Sequence, residues 1–488
     1  MADLWCSERL DEWLGLKPRQ SERVSREADA DEPDPEGWRS RFQQDYDRLL
    51  FSTPVRRLSD KTQVWPMDEN DGVRTRLTHS HEVANLARSI GSRIAATSPG
   101  IFGDADLHDV VQPILSAIGL AHDLGNPPFG HQGETAISGW FRKNDPWIFA
   151  NTCANGPGLP ISVPARIRDE FLSFDGNPQS LRLVTKLQTS VSNVGLNLTA
   201  ATLAASLKYP VSSENRDRGR PIRKKVGYFQ SESQIVSWVR EATGLTEGAR
   251  HPLTWIMEAC DDIAYSVLDV DDVMKKGIVS PDDVHAILKS DPKLAEVSAI
   301  GRIKAAFDKV NASDRRTEVV RDIKIGYLRA ILIEALIKEA SSAYVANSAT
   351  INALTHEQPI MDESVLCKAL KRIANQYAFS NSAVLRMEAF GAAAIDELMT
   401  FFWVAISERE KPENLMSTPT SARGKYARSL ISPNYYEDAV RAAQPLGTEG
   451  GLRYRELRLL TDMVSGMTDT FAIKLWEKIR RVPDVRSD

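Results

Sequence analysis

Residues 117–136 read AIGLAHDLGNPPFGHQGETA, and the pair His122-Asp123 stands at their centre. Ile114, Leu115, Ile118, Leu120 and Ala121 form an apolar run that predicts a buried helix. Gly125 is expected to supply its C-terminal stop. Pro127-Pro128 forbid continuation, because proline lacks an amide hydrogen and its ring clashes with the preceding turn. The His-Asp pair is therefore expected at a helix end. An imidazole nitrogen beside a hard carboxylate suits a divalent metal, and the loop that follows returns His131 and Glu134 within short reach. The dipeptide alone is a weak signal, so its meaning depends on the rest of the chain.

The chain has 488 residues, enough for one large domain or several smaller ones, and its 42% hydrophobic content is that of an ordinary folded protein. A net charge of −5 neither requires nor excludes nucleic acid, so any such contact needs a local basic patch. Cys6, Cys153, Cys260 and Cys367 lie far apart without CxxC spacing, which disfavours a disulfide framework or thiolate zinc site and fits a reducing compartment. The N-terminus lacks a basic-then-apolar signal pattern, and no apolar run is read as approaching the roughly 20 residues of a membrane span. The expectation is a cytoplasmic protein without a membrane segment.

Residues 1–37 contain the acidic, proline-bearing SREADADEPDPEG, read as a mobile or surface-attached lead-in. Residues 38–290 form the expected core. Within them RFQQDYDRLLFSTPVRRLSDKTQVWP is helical with a break at Ser52-Thr53-Pro54, and in VRTRLTHSHEVANLARSIGSRIAA the residues His79, Val83, Leu86, Ile90 and Ile94 recur at steps of three and four. Residues 142–180, rich in Gly, Pro and Asn, read as an irregular insertion, and 216–225, RDRGRPIRKK, as a basic loop. Helical signal continues through 291–488, expected to pack on the core. Alternating strand patterns are scarce, so the fold class is all-α.

Five of the eight histidines, His79, His81, His108, His122 and His131, fall between residues 79 and 131. Satisfied core histidines are the bland explanation, and the clustering weakens it. A second clue is Thr254–Lys276, where Ile256, Cys260, Ile263, Val267, Val270 and Met274 form a core stripe. Asp261, Tyr265, Asp269 and Asp272 run beside it, a juxtaposition expected where a cleft opens; near Asp272 a solvated face is the favoured reading. A metal at the bundle centre would take His79 from one helix, His122 and Asp123 from a second and Asp261 from this one, two nitrogen and two oxygen ligands.

These blocks match the H…HD…D pattern of the HD-domain metal-dependent phosphohydrolases. More specifically, RRLSDKTQV, RTRLTHSHEVA, HDLGNPPFGHQGE, FDGNPQ, LKYP, WIMEACDDIAYSVLD and SGMTD, spread from Arg56 to Asp469, resemble in order the bacterial deoxyguanosinetriphosphate triphosphohydrolases. The resemblance implies an HD-domain helical core with helical elaborations. It implies one divalent metal per site, Mg or Mn with Fe or Co as further candidates, and dGTP cleaved to deoxyguanosine and triphosphate by water attack on the α-phosphorus. It also implies a homo-oligomer, with a hexamer favoured.

Residue by residue, the resemblance assigns the metal to His79, His122, Asp123 and Asp261, the last preferred to Asp262. His131 and Glu134 become a linked acid–base pair, with the choice of which meets the water left open. Arg76 and Lys208 are assigned to the triphosphate, with Tyr209 beside Lys208 as a further substrate-binding residue; Tyr265 packs under the deoxyribose, and Asp269 and Gln63 read its 3′-hydroxyl. His81 departs from the family pattern and is read as a bystander. The competing readings are a broader dNTP triphosphohydrolase, an HD phosphohydrolase of another nucleotide such as a cyclic or alarmone substrate, and a nucleotide-binding or single-stranded-DNA-binding regulator. The last is motivated by the six Arg and Lys side chains of residues 216–225.

Overall fold

The computed structural model describes residues 3–16, 38–67, 72–145, 147–150, 163–190, 193–441 and 451–481. Among the described residues the regular structure is helical, and β pairing is limited to isolated bridges such as Thr62 with Thr75. The fold is all-α.

Its first part is anchored, not loose. The short α1 (Leu10–Trp13) buries Leu10, and the buried Arg9 pairs with Asp45 of α2 (Arg41–Leu50) at 2.9 Å. The acidic stretch SREADADEPDPEG lies outside the described residues.

The centre is a bundle of α3 (Arg76–Thr97), α4 (Gln112–Ala121) and the longer α8 (Pro252–Lys275). On α3 the expected stripe is real: His79, Val83, Ile90 and Ile94 are all fully buried, because residues three and four apart share one face. Every residue of α4 from Pro113 to Ala121 is buried. Its Ile114, Leu115 and Ile118 belong to one hydrophobic cluster, with α3, α8 and further helices from the second half of the chain. Its Ala117, Leu120 and Ala121 belong to another. The helix is a shared wall between two cores, and it delivers His122 as its C-terminal cap residue.

Gly125 differs from expectation in its reason. It is not in the left-handed conformation of a helix-stopping glycine. A side chain there would stand 2.1 Å from the Gly176 carbonyl oxygen, so the position is small because the backbone of α6 (Gly176–Arg182) packs directly on the His-Asp loop. That helix also revises the reading of residues 142–180. Positions 146 and 151–162 lie outside the described residues, but Asp169–Leu172 and α6 are ordered turns of helix, the latter capped by the Asp175 carboxylate on the Asn177 amide at 2.9 Å. Between the His-Asp loop and α6 runs α5 (Gly130–Asn144), and α7 (Ala200–Ser206) lies between α6 and α8 in the chain.

The acidic end of α8 is not solvated. Asp269, Asp271 and Asp272 are buried, and each is paired. Arg74 donates to Asp269 at 2.5 Å and Asp272 at 3.0 Å, while Arg329 and Lys275 meet Asp271 at 3.0 and 2.9 Å. Burying carboxylates is tolerated because cations from other segments reach them. At the other end His251 caps the helix, its Nδ1 accepting from the Leu253 amide at 3.2 Å, and burial pushes this imidazole down to about 4, so it stays neutral.

In the second half, α9 (Thr317–Ala346) and α10 (Val365–Ala374) pack on α8. The following α11 (Ser382–Ser407) packs on α5, and α12 (Gly451–Ser465) and α13 (Asp469–Ile479) pack on α11. By length and composition α11 is apolar enough to cross a membrane, contrary to the sequence reading. It is a core helix here: Ile395, Leu398, Met399, Phe401 and Phe402 are fully buried among neighbouring helices.

Candidate active site

Three ligand-bearing side chains converge where α3, the end of α4 and α8 meet. His79, His122 and Asp261 each offer one donor atom, and these atoms all lie within 4.8 Å of one another. Asp261 Oδ1 stands 3.4 Å from His79 Nε2 and 3.6 Å from His122 Nε2. Asp123 is not part of that group but stands beside it, its Oδ2 3.6 Å from His122 Nε2.

The hydrogen bonding of the imidazoles fits a metal. His122 Nδ1 donates to the Gly119 carbonyl at 2.7 Å, which fixes the tautomer and leaves Nε2 with a free lone pair. That nitrogen is buried and without a hydrogen-bond partner among the described residues, as are both ring nitrogens of the fully buried His79. Burying unpartnered polar atoms is costly, and a divalent cation is the group that two imidazole nitrogens and two carboxylates would satisfy together. Burial holds His79 below the ordinary histidine range, which keeps its nitrogen available.

The carboxylates are held ionised. Burial opposes the charge on Asp123, but Arg76 and the two imidazoles outweigh it and hold its carboxyl well below the usual range. Burial likewise works against Asp261, and Lys208 with the imidazoles overcomes it. Arg76 Nη1 donates to Asp123 Oδ2 at 2.5 Å and Lys208 Nζ to Asp261 Oδ2 at 3.1 Å, so both expected phosphate-binding cations stand one contact from the ligand set. Asp262 points elsewhere, to Lys371 at 2.7 Å. Tyr209, next to Lys208, is buried under the Arg250 guanidinium. His81 and His108 are exposed.

Arg76 also connects the ligands to α5. A side chain at Gly130 would lie 2.5 Å from Arg76 Nη2, and Gly130 has φ +55°, so this first residue of the helix is glycine on both counts. One residue later His131 is 78% exposed, and its Nδ1 lies 2.8 Å from Glu134 Oε2. The other oxygen, Glu134 Oε1, accepts from the Gly176 amide of α6 at 2.7 Å. Both carboxylate oxygens are thus engaged and the side chain is largely buried, whereas the second imidazole nitrogen is not committed. The bond to Glu134 raises the His131 imidazole above its ordinary value.

On the far side of Asp261, Tyr265 stacks on Phe379 with ring centroids 5.5 Å apart and planes 13° from parallel. Asp269, one further turn on, is enclosed and held by Arg74. Its Oδ2 has no hydrogen-bond partner among the described residues, nor has Gln63 Oε1. Burial pushes the Asp269 carboxyl up to about 7, with Arg74 opposing.

Arg74, Asn126, Gly176 and Phe379 escaped the reading of the sequence. Arg74 had a signal, the RTR spacing that places it two residues before Arg76; Asn126 sits inside HDLGN, where it donates to Asp123 Oδ1 at 2.6 Å. Half of the basic loop's cations are paired with carboxylates from other segments. Arg216 pairs with Asp169, Arg220 with Glu357 and Lys225 with Asp175, leaving Arg218, Arg223 and Lys224 without ion pairs among the described residues.

Residues 76–149 match the HD domain family, a stretch that holds His79, His122, Asp123, His131 and Glu134. Over its whole length the chain is similar to proteins named deoxyguanosinetriphosphate triphosphohydrolase-like protein. Those of Listeria innocua serovar 6a and Listeria monocytogenes serovar 1/2a are each 34% identical over 481 residues, 96% of this chain and 98% of theirs. That of Synechocystis sp. is 31% identical over 470 residues, 91% of this chain and 94% of its own. Identity of this level across nearly the full length of both partners, on a fold that assembles the His and Asp side chains of the HD stretch with Asp261 from far outside it, places the chain in the deoxyguanosinetriphosphate triphosphohydrolase-like family of HD-domain proteins.

Proposed function

We propose that this HD-domain phosphohydrolase, a nucleoside triphosphohydrolase by family, hydrolyses dGTP to deoxyguanosine and tripolyphosphate. The observation that carries the reading is the convergence of His79, His122 and Asp261 with Asp123 beside them, three ring nitrogens having no hydrogen-bond partner among the described residues, directly beside Arg76 and Lys208. Those four side chains would hold one Mg or Mn ion. When bound, such an ion supplies Lewis-acid polarisation of a phosphate oxygen and acidification of water.

The protein's own groups supply the rest. Arg76 and Lys208 are placed to pass from carboxylates to phosphate oxygens, and the planar guanidinium can engage two at once. His131 is the exposed member of the acid–base pair, so it exchanges the proton with the reacting atoms; Glu134, with both oxygens in hydrogen bonds, orients the ring and favours its charged form. In its protonated form His131 suits donation to the departing 5′-oxygen. Tyr265, backed by Phe379, is the platform for the sugar, and the unpartnered oxygens of Gln63 and Asp269 are the acceptors left for its 3′-hydroxyl.

The test is anion-exchange analysis of products after Mn-loaded protein is incubated with each dNTP, singly and mixed. Tripolyphosphate with deoxyguanosine from dGTP alone is the expected outcome. Equal release from all four dNTPs would replace dGTP by dNTPs in general, and pyrophosphate or orthophosphate without tripolyphosphate would overturn the reaction itself. Sugar selection gives a second check. Tyr265→Ala is expected to lower the preference for dGTP over GTP by about tenfold or more, because the ribose 2′-hydroxyl would no longer be excluded by the ring. An unchanged ratio of the two kcat/KM values would place sugar selection elsewhere.

A further inference from the structure

The loop from His122 to His131 is held by residues from opposite ends of the chain. Lys61 is 3% exposed and makes no salt bridge among the described residues, yet its ammonium donates to the Asn126 carbonyl at 2.5 Å and the Ser465 carbonyl at 3.1 Å. Asn126 in turn holds Asp123. Next to Lys61, the Thr62 amide donates to Asp469 Oδ2 at 3.0 Å, and the Thr62 hydroxyl donates to the same oxygen. The other oxygen, Asp469 Oδ1, accepts at 3.0 Å from the amide of Phe129.

Phe129 is where this matters most. Its φ is +62°, the left-handed region that a residue with a Cβ enters only under constraint, and it immediately precedes α5. The backbone at Phe129 sets where α5 begins, and His131 and Glu134 stand in the first turns of that helix. A second grip comes from α12: Asp462 accepts from Gln179 at 2.9 Å and from Arg182 at 2.6 Å, both on α6, whose first amide binds Glu134. Core packing alone calls for neither a buried lysine without a carboxylate partner nor a buried carboxylate shared by three donors.

We propose that Asp469 and Lys61 are positioning residues, which fix the backbone at Phe129 and Asn126 so that the His131–Glu134 pair and Asp123 keep their register to one another. Neither touches the reacting atoms; they act through the loop. This rests on the proposed roles of His131 and Asp123, and the readouts are chosen so that the two ideas can fail separately.

The experiment compares wild type with Asp469→Asn, which keeps the size and one acceptor but loses the other. Three quantities are read: Mn2+ affinity by calorimetry, the titration of the His131 imidazole by NMR, and kcat and KM for the nucleotide that wild type hydrolyses. Glu134, Arg76 and Lys225 are the charged groups around His131. The expected result is Mn2+ affinity close to wild type, a His131 titration displaced toward the ordinary histidine value, and kcat lowered about 10²-fold at similar KM, the scale of a displacement near 1 Å. Thr62→Val, which removes a single hydroxyl donor, is expected to give a smaller change of the same kind and serves if Asp469→Asn does not fold. An unmoved His131 titration with unchanged kcat, or a kcat loss that only tracks the fraction unfolded, overturns the proposal. If wild type hydrolyses no nucleotide, the functional reading falls while the NMR titration still decides this one.

Discussion

His122→Ala is expected to abolish metal binding and turnover together. The imidazole is fixed at Nδ1 by the Gly119 carbonyl and presents a buried, unpartnered Nε2 to Asp261 and Asp123, so alanine removes a preoriented donor and leaves two carboxylates facing each other with less to hold them. Outer-shell substitutions commonly cost 10–100-fold in metal affinity, and loss of a ligand itself should exceed that, with turnover falling by at least about 10³-fold. Asp261→Ala should behave alike, since it removes the oxygen that lies within 3.6 Å of both histidines. Metal content after dialysis, measured by elemental analysis beside activity, decides the matter. Retention of full activity by either variant would mean that the metal site lies elsewhere. His81→Ala, on the exposed side of the same helix, should change neither quantity.

Glu134→Gln is expected to separate chemistry from metal. Its carboxylate lies outside the ligand group and its charge acts on His131, so metal content should persist while kcat falls by about 10²- to 10⁴-fold, the usual worth of general acid–base catalysis. The sign of the pH effect follows from the bond at 2.8 Å. Glu134 favours protonated His131 and raises its pKa above 6.5, so the acid form persists to higher pH and is lost only as pH climbs through the raised value. If His131 is the acid, the basic limb of kcat/KM lies above 6.5 in wild type and moves to lower pH in Glu134→Gln, where the neutral amide no longer favours the charged ring. A limb that stays in place, or loss of metal with the substitution, would remove His131 and Glu134 from this role.

Much of the fold was legible because the chemistry is periodic. A histidine on the apolar face of α3 and a carboxylate one residue off the core stripe of α8 can be placed by counting, since helices repeat every 3.6 residues. The Gly-Pro punctuation likewise marked the end of α4 correctly, although Gly125 is small for the sake of α6 and not of helix termination. Contacts between remote segments were not legible in this way. The acidic residues around Asp272 look like a solvated face until Arg74 is seen beneath them, and no local pattern announces that partner. Lys61 and Asp469 are also unremarkable side chains in sequence; their burial is a property of how the chain ends meet. The apolar length of α11 misleads in the other direction, because a helix wrapped by its own protein needs as much hydrocarbon as one wrapped by lipid.

The shared wall formed by α4 has an evolutionary and practical corollary. Residues 76–149 carry the family signature and most of the reactive side chains, which suggests a portable module, but that stretch exposes both faces of α4 unless two separate sets of partners arrive. Asp261 and Lys208 come with one later portion of sequence, and the clasp on Phe129 comes with the last. Excised or grafted into another protein, the signature would be an incomplete inheritance: recognisable by sequence comparison, and short of the proposed oxygen ligand, the proposed phosphate cation and the hold on the proposed acid–base pair.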